Sequence, residues 1–202
     1  MQVPKEELKL DILHAAEHEF MRHGYKSASL RTIAKKANTT IGNLYHYFSS
    51  KESILEALIK DTPEILTGFV TSHDNFDFDG LTTDSISITE LKSMIQLILP
   101  QVIDFDYLLS DIVIILLEGC EGTKFEHLKY DILKCIFEHL EDHLQLDPDP
   151  IFNQSMVHSF VSTVVYIAKL SCPIEDKKRS LLRYFTVMII GLMYGTEFCL
   201  YP

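Results

Sequence analysis

Arg31 and Asn43 carry the two side chains best suited to reading base edges, a guanidinium for guanine and a carboxamide for adenine, within the stretch SLRTIAKKANTTIGNLYHYFSSK, residues 29–51. Ile41 can meet a thymine methyl. Around them Ser29, Thr40, Tyr45, His46, Tyr47 and Lys51 supply hydroxyls, an imidazole and an ammonium, groups that hold phosphates and fix register. Together these are the tools of a double-stranded DNA reader. For Tyr45 and His46 the alternative to holding phosphate is packing against the first helix or partial exposure. Other chemistries lack their residues: there is no GxSxG, P-loop or GxGxxG, and no Glu has a His three residues later, as a carboxylate-bridged metal site in a helical bundle needs. The sequence therefore points to no enzyme, no catalytic residue, no cofactor and no metal.

The elements that position these groups follow from capping and periodicity. Ser29 is a good N-cap, and Leu30, Ile33, Ala34 and Ala37 put one apolar stripe on a helix of barely two turns. Asn38 tolerates the left-handed geometry of a helix end, and Thr39-Thr40 then opens a second helix reaching about Phe48. Two short helices joined by a tight polar turn make a helix-turn-helix. Leu44 and Phe48 point inward from the second helix, leaving the polar and aromatic groups outside. Gly42, costing roughly 1 kcal/mol against Ala inside a helix, permits close approach of either DNA backbone or a neighbouring helix. Upstream, Leu8, Ile12, Ala15, Ala16 and Phe20 form one face of a first helix that Gly24 ends. Downstream, Ser50 caps a helix opening with Lys51 and Glu52, whose free amides and positive dipole end suit a phosphate. Arg22 and Lys26 lie near the intervening loop, as phosphate contacts or as ordinary surface cations.

The ordered set Ala15-Ala16, Phe20, Gly24-Tyr25, Ser29, Ile33-Ala34, Ala37, Gly42, Leu44-Tyr45, Tyr47-Phe48 and Lys51-Glu52 resembles the N-terminal DNA-binding domain of TetR/AcrR transcriptional regulators over about residues 8–58. Asn38 departs from the usual Gly, Thr39-Thr40 from the more common Val-Ser, and Tyr47 stands where the family often has His. The resemblance implies an all-α protein: a three-helix helix-turn-helix DNA-binding domain at 1–50 and a helical ligand-binding and dimerisation domain at 51–202. It implies that Lys51 meets the DNA backbone, that the last two helices form a four-helix homodimer interface, and that a small molecule releases the protein from an inverted-repeat operator. The reading is a ligand-responsive dimeric repressor. The alternative is an architectural or assembly factor that uses the same head and recruits a protein through its C-terminal domain.

Charge separates the chain into two parts. The net charge is −11, yet residues 1–60 hold nine Lys/Arg against seven Asp/Glu, while the remainder holds nine against 22. The acidic surface of the later part aids solubility, and the 47% hydrophobic content of the whole chain can bury a sizeable core. No charged-then-apolar leader is present and no apolar run spans a bilayer, so a cytoplasmic location without membrane contact is expected. Cys120, Cys135, Cys172 and Cys199 form no CxxC pair and sit in apolar helical patterns, which predicts buried thiols.

Beyond Leu58, Thr62-Pro63 restarts a helix after a bend through which ligand state could tilt the head, or which is a local kink. A polar loop is expected from Thr71 to about Ser87, then a helix opened by Thr89-Glu90 and interrupted at Pro100. An apolar helix over Tyr107–Cys120 should be central, followed by a long amphipathic helix capped by Thr123. His139 and His143 lie four apart on it, without an evident third ligand, and read as a solvated flank. Asp147-Pro148-Asp149-Pro150 forms a turn before two apolar helices, from about Phe152 to Leu170 and from about Glu175 to Phe198, with Gly191 and Gly195 spaced for close helix approach. Tyr107, Glu118, His158 and Tyr166 interrupt apolar helices and are weak candidates to orient a ligand in a cavity.

Overall fold

Three hydroxyls set the order of the N-terminal elements. Ser29 Oγ accepts from the Thr32 amide at 3.4 Å, Thr40 Oγ1 from Asn43 at 3.1 Å and Ser50 Oγ from Ser53 at 3.0 Å, so each starts a helix by satisfying one of its orphan donors. The computed structural model describes residues 5–71, 86–144 and 150–195, and the elements among them are all helices. They begin with α1 (Lys5–Ser27), α2 (Leu30–Lys36), α3 (Ile41–Tyr47) and α4 (Lys51–Ile59). There follow α5 (Thr62–Thr71), α6 (Ile88–Val102), α7 (Phe105–Leu108), α8 (Asp111–Glu118), α9 (Leu128–Leu144), α10 (Pro150–Lys169) and α11 (Ile174–Gly195). The expected 71–87 loop, the Asp147–Pro150 turn, Phe198 and Cys199 lie wholly or partly outside the described residues.

The chain forms two compact units, one of residues 1–64 and 110–129, the other of residues 65–109 and 130–202. In the first, α1 packs against α2, α4 and α8. Ile12, Ala16, Phe20, Ile33, Leu44, Ile54 and Leu55 expose about 1% or less of their surface. The expected division at residue 50 falls inside this unit, since α4 packs on α1 and α8 and buries Ile54, Leu55 and Ile59. Burying one such side chain is worth about 1.5–3 kcal/mol, so α4 is integral to the packing of the unit. Gly24 stands at φ 70°, ψ 164°, a conformation that favours glycine, and kinks α1 before one further turn to Ser27.

In the second unit α11 packs against α6, α7 and α10. Phe185 is its aromatic centre, 5.9 Å from Phe105 and 5.6 Å from Phe160 between ring centroids. A neighbouring cluster joins Leu133 and Phe137 of α9 to Val157 of α10. Lys177 donates to the Ala168 carbonyl at 2.6 Å, closing the C-terminal end of α10.

Several expectations are corrected. Pro100 does not break α6, which runs on to Val102: only a short end follows, and the Ile103 amide still closes on Leu99 at 2.8 Å. The Tyr107–Cys120 helix is two helices, because Asp104 caps one and Ser110 caps the next. Five consecutive residues of α8, Val113–Leu117, are buried, so its central character holds. Thr123 shapes a turn by bonding the Cys120 carbonyl and Phe125 amide, and the long helix starts at Leu128. Cys120 is buried, and desolvation pushes its thiol up to about 11. Cys135 and Cys172 are exposed, the first because α9 buries the opposite side through Ile132, Leu133 and Phe137, the second because it lies in the turn after α10.

Candidate nucleic-acid interface

Asn38 is the pivot between α2 and α3. Its φ of 50° is the left-handed value expected of an Asn at this position, and the Thr39 amide then bonds the Ala34 carbonyl at 2.9 Å. With Leu44 and Phe48 buried, helical geometry turns Ile41, Tyr45 and His46 to the exposed side and leaves Asn43 and Tyr47 half-buried at its margin. Ile41 is 38% and Tyr45 49% exposed, large values for apolar and aromatic groups in a structured helix. Tyr45 and His46 are both exposed.

An open groove of about 540 Å³ runs along this surface, lined by Arg31, Lys35, Asn38, Thr39, Thr40 and Ile41. It brings Arg31 to the same face as the first residues of α3. Lys35 and Thr39 are additions that the sequence reading missed. The signal for Lys35 was its place one helical turn after Arg31, on the face opposite Ile33 and Ala34. Thr39 is tied directly to Asn43, whose Nδ2 donates to Thr39 Oγ1 at 2.9 Å. That bond uses one amide proton, and the second together with Oδ1 is the donor and acceptor pair that an adenine edge would require.

Gly42 has open space beside it. A Cβ built there meets no atom closer than Thr40 Oγ1 at 4.0 Å, so among the described residues no neighbouring helix accounts for the missing side chain. Ser29 is half-buried, its hydroxyl engaged as the α2 cap and its amide donating to Glu19 Oε1 at 3.3 Å. Burial would raise the Glu19 carboxyl, yet the Ser29 amide and the Lys36 ammonium, 3.2 Å from Oε2, hold it below the usual carboxylate range. Lys36 also lies 3.1 Å from His18 Nδ1.

Lys51 sits differently from the expectation. Its ammonium donates to the carbonyls of Tyr25, Lys26 and Ala28 at 2.5, 3.2 and 3.2 Å and lies 4.5 Å from the Tyr25 ring centroid. Burial lowers its pKa from the ordinary lysine range. The capping box of α4 is complete, with Ser50 and Ser53 exchanging backbone-to-hydroxyl bonds at 3.1 and 3.0 Å. Lys26 pairs with Glu121 at 2.7 Å on the surface, and Arg22 is exposed.

The four weak ligand candidates are not brought together. Glu118 belongs to the first unit and is exposed; His158 and Tyr166 are exposed on α10, Tyr166 by 67%. Only Tyr107 of the four is half-buried, edge-on to Phe69 with centroids 6.4 Å apart. The side chain of His143 lies outside the described residues. Among those described, no group of three or more His, Cys, Asp or Glu could hold a metal ion, and no helix is long and apolar enough to cross a membrane.

Known proteins resemble this chain in sequence or in fold. The family model described as bacterial regulatory proteins, tetR family, matches residues 12–58. The chain is 33% identical over 87 residues to the HTH-type transcriptional regulator UidR of Escherichia coli strain K12, covering 43% of this chain and 44% of that protein. It is 36% identical over 58 residues to the HTH-type transcriptional repressor KstR2 of Mycolicibacterium smegmatis, covering 29% and 28%. The matches thus span less than half the length of these curated relatives. The fold resembles that of the fatty acid degradation regulator FadR from Bacillus halodurans, with a TM-score of 0.57 and 18% identity over 95% of this chain and 97% of that one.

Proposed function

Because the chain belongs, through the head matched at residues 12–58, to the tetR family of bacterial regulatory proteins, we propose that it is a DNA-binding transcriptional regulator that acts as a dimeric repressor on an inverted-repeat operator. The observation that carries this reading is the exposed surface of α2 and α3, where Arg31, Lys35 and Ile41 edge one groove and Asn43 is bonded to Thr39, which also lines it. Arg31 and Asn43 read bases, and Ile41 packs on a thymine methyl. Thr40, Tyr45, His46 and Tyr47 hold phosphates, with Ser29 acting from the α2 cap. A head with so few exposed cations binds weakly alone. Two copies spaced by about one helical turn of DNA or a small multiple restore affinity.

The dimer is proposed through α10 and α11. Tyr166 and Val187 are 67% and 65% exposed, and nothing lies within 4 Å of a Cβ built on Gly191, features that suit close packing of a second copy. Release by a small molecule is proposed from the apolar second unit, with Tyr107 and Phe69 as its half-buried aromatic pair; the ligand must prefer the dimer that cannot bind DNA. The same open stripe favours a second reading, an assembly factor that seats another protein on α10 and α11.

Sequencing of genomic fragments retained by the protein, with its mass measured in solution, tests both. Inverted repeats bound by a dimer support the repressor. Asn43→Ala should weaken binding and relax one base position by about 1–3 kcal/mol; unchanged affinity and base preference would overturn the assignment of α3 as the reading helix.

A further inference from the structure

The short turn that joins α1 to α2 is held by two charges, one from the start of α4 and one from within α1. An ammonium has three donors. Those of Lys51 are all engaged, by the carbonyls of Tyr25, Lys26 and Ala28. These carbonyls stand where α1 ends, so they lack helical partners and need a donor from elsewhere. On the amide side, Ser29 donates to Glu19, a carboxylate only 4% exposed that Lys36 balances. Every backbone group named here lies within six residues of Arg31, and Ser29 is the cap on which α2 starts.

Resting on the DNA-reading function proposed above, we propose that Lys51 and Glu19 are positioning residues that clamp the Gly24–Ser29 turn and so fix α2 and Arg31, and that the Lys51 ammonium makes no phosphate contact. A phosphate could reach that ammonium only by displacing a carbonyl already bound to it. The clamp differs from a phosphate anchor in what it does without DNA. It orders the turn in the free protein, and its removal changes no count of released counterions.

Lys51→Met separates the two roles. Hydrogen exchange of the amides of residues 25–32 is followed in the DNA-free full chain, and affinity for a duplex selected by the wild-type protein from a random-sequence pool is measured across salt concentrations. The clamp predicts exchange faster by about tenfold, and weaker binding at every salt with an unchanged slope. A slope smaller by about 0.9 with exchange unchanged would overturn it. If the wild-type protein selects no duplex, the function above fails while the exchange arm still decides the clamp. Should Lys51→Met not fold, competitive acylation of wild-type lysines serves instead. Lys51 slower than the exposed Lys35, with and without DNA, supports the clamp, whereas Lys51 as fast as Lys35 and protected by DNA refutes it.

Discussion

Asn43 does not project alone from α3: its Nδ2 is held by Thr39 Oγ1 at 2.9 Å, a residue of the turn before the helix begins. The carboxamide is thereby fixed before DNA arrives, and less rotamer freedom is lost on binding. Thr39→Val keeps the shape and removes the hydroxyl. Discrimination at the base read by Asn43 should fall by part of the roughly 1–3 kcal/mol that a bidentate contact is worth. The salt slope should not change, since no charge is lost. Competition between matched and mismatched duplexes measures the first, and equal discrimination by both proteins would remove Thr39 from the reader.

Gly42→Ala should move stability and binding in opposite directions. A Cβ has open space there, and Ala is better in a helix by up to roughly 1 kcal/mol, so the thermal midpoint should rise. If the bare backbone is there to approach DNA, the added methyl should weaken binding by about 1 kcal/mol or more, several-fold in Kd. A stabilised variant with wild-type affinity would show that Gly42 serves no approach.

Glu19 sets an acid limit. Its carboxyl titrates below the usual range in the folded chain because the Ser29 amide and Lys36 favour its charged form over the cost of burial. The unfolded chain has the ordinary value of about 4.3. The stabilisation is therefore complete above that value and is lost as pH falls through the lower folded value. Thermal midpoints of wild type and Glu19→Gln, measured from neutral pH downward, should be far apart at pH 7 and converge below about pH 4. Parallel curves would mean that Glu19 contributes no linkage.

The head was legible because its signals are local. Ser29, Thr40 and Ser50 each cap a helix from a position three residues before the amide they bind, and Asn38 takes the backbone form its short side chain tolerates. What stayed hidden depends on distance along the chain. The ammonium of Lys51 is spent on carbonyls 23 to 26 residues earlier, which no spacing rule announces. The apolar run Val113–Leu117 reads as any buried helix, and only tertiary packing places it on α1. Likewise Glu118, His158 and Tyr166 looked inward as polar breaks in apolar runs, yet each takes the solvent side of its helix.

That placement of α8 has a consequence for engineering. The compact unit that holds α2 and α3 is discontinuous, built from residues 1–64 and 110–129. Lys124 from the later segment pairs with Glu56 at 2.9 Å and bonds Glu52 through its backbone amide, and the Gly119 carbonyl accepts from Tyr25. A transplant of the first 60 residues onto another effector would uncover the side of α1 that α8 covers. The head is therefore not a detachable cassette: a working graft must carry both pieces of chain, joined by a linker in place of everything between them.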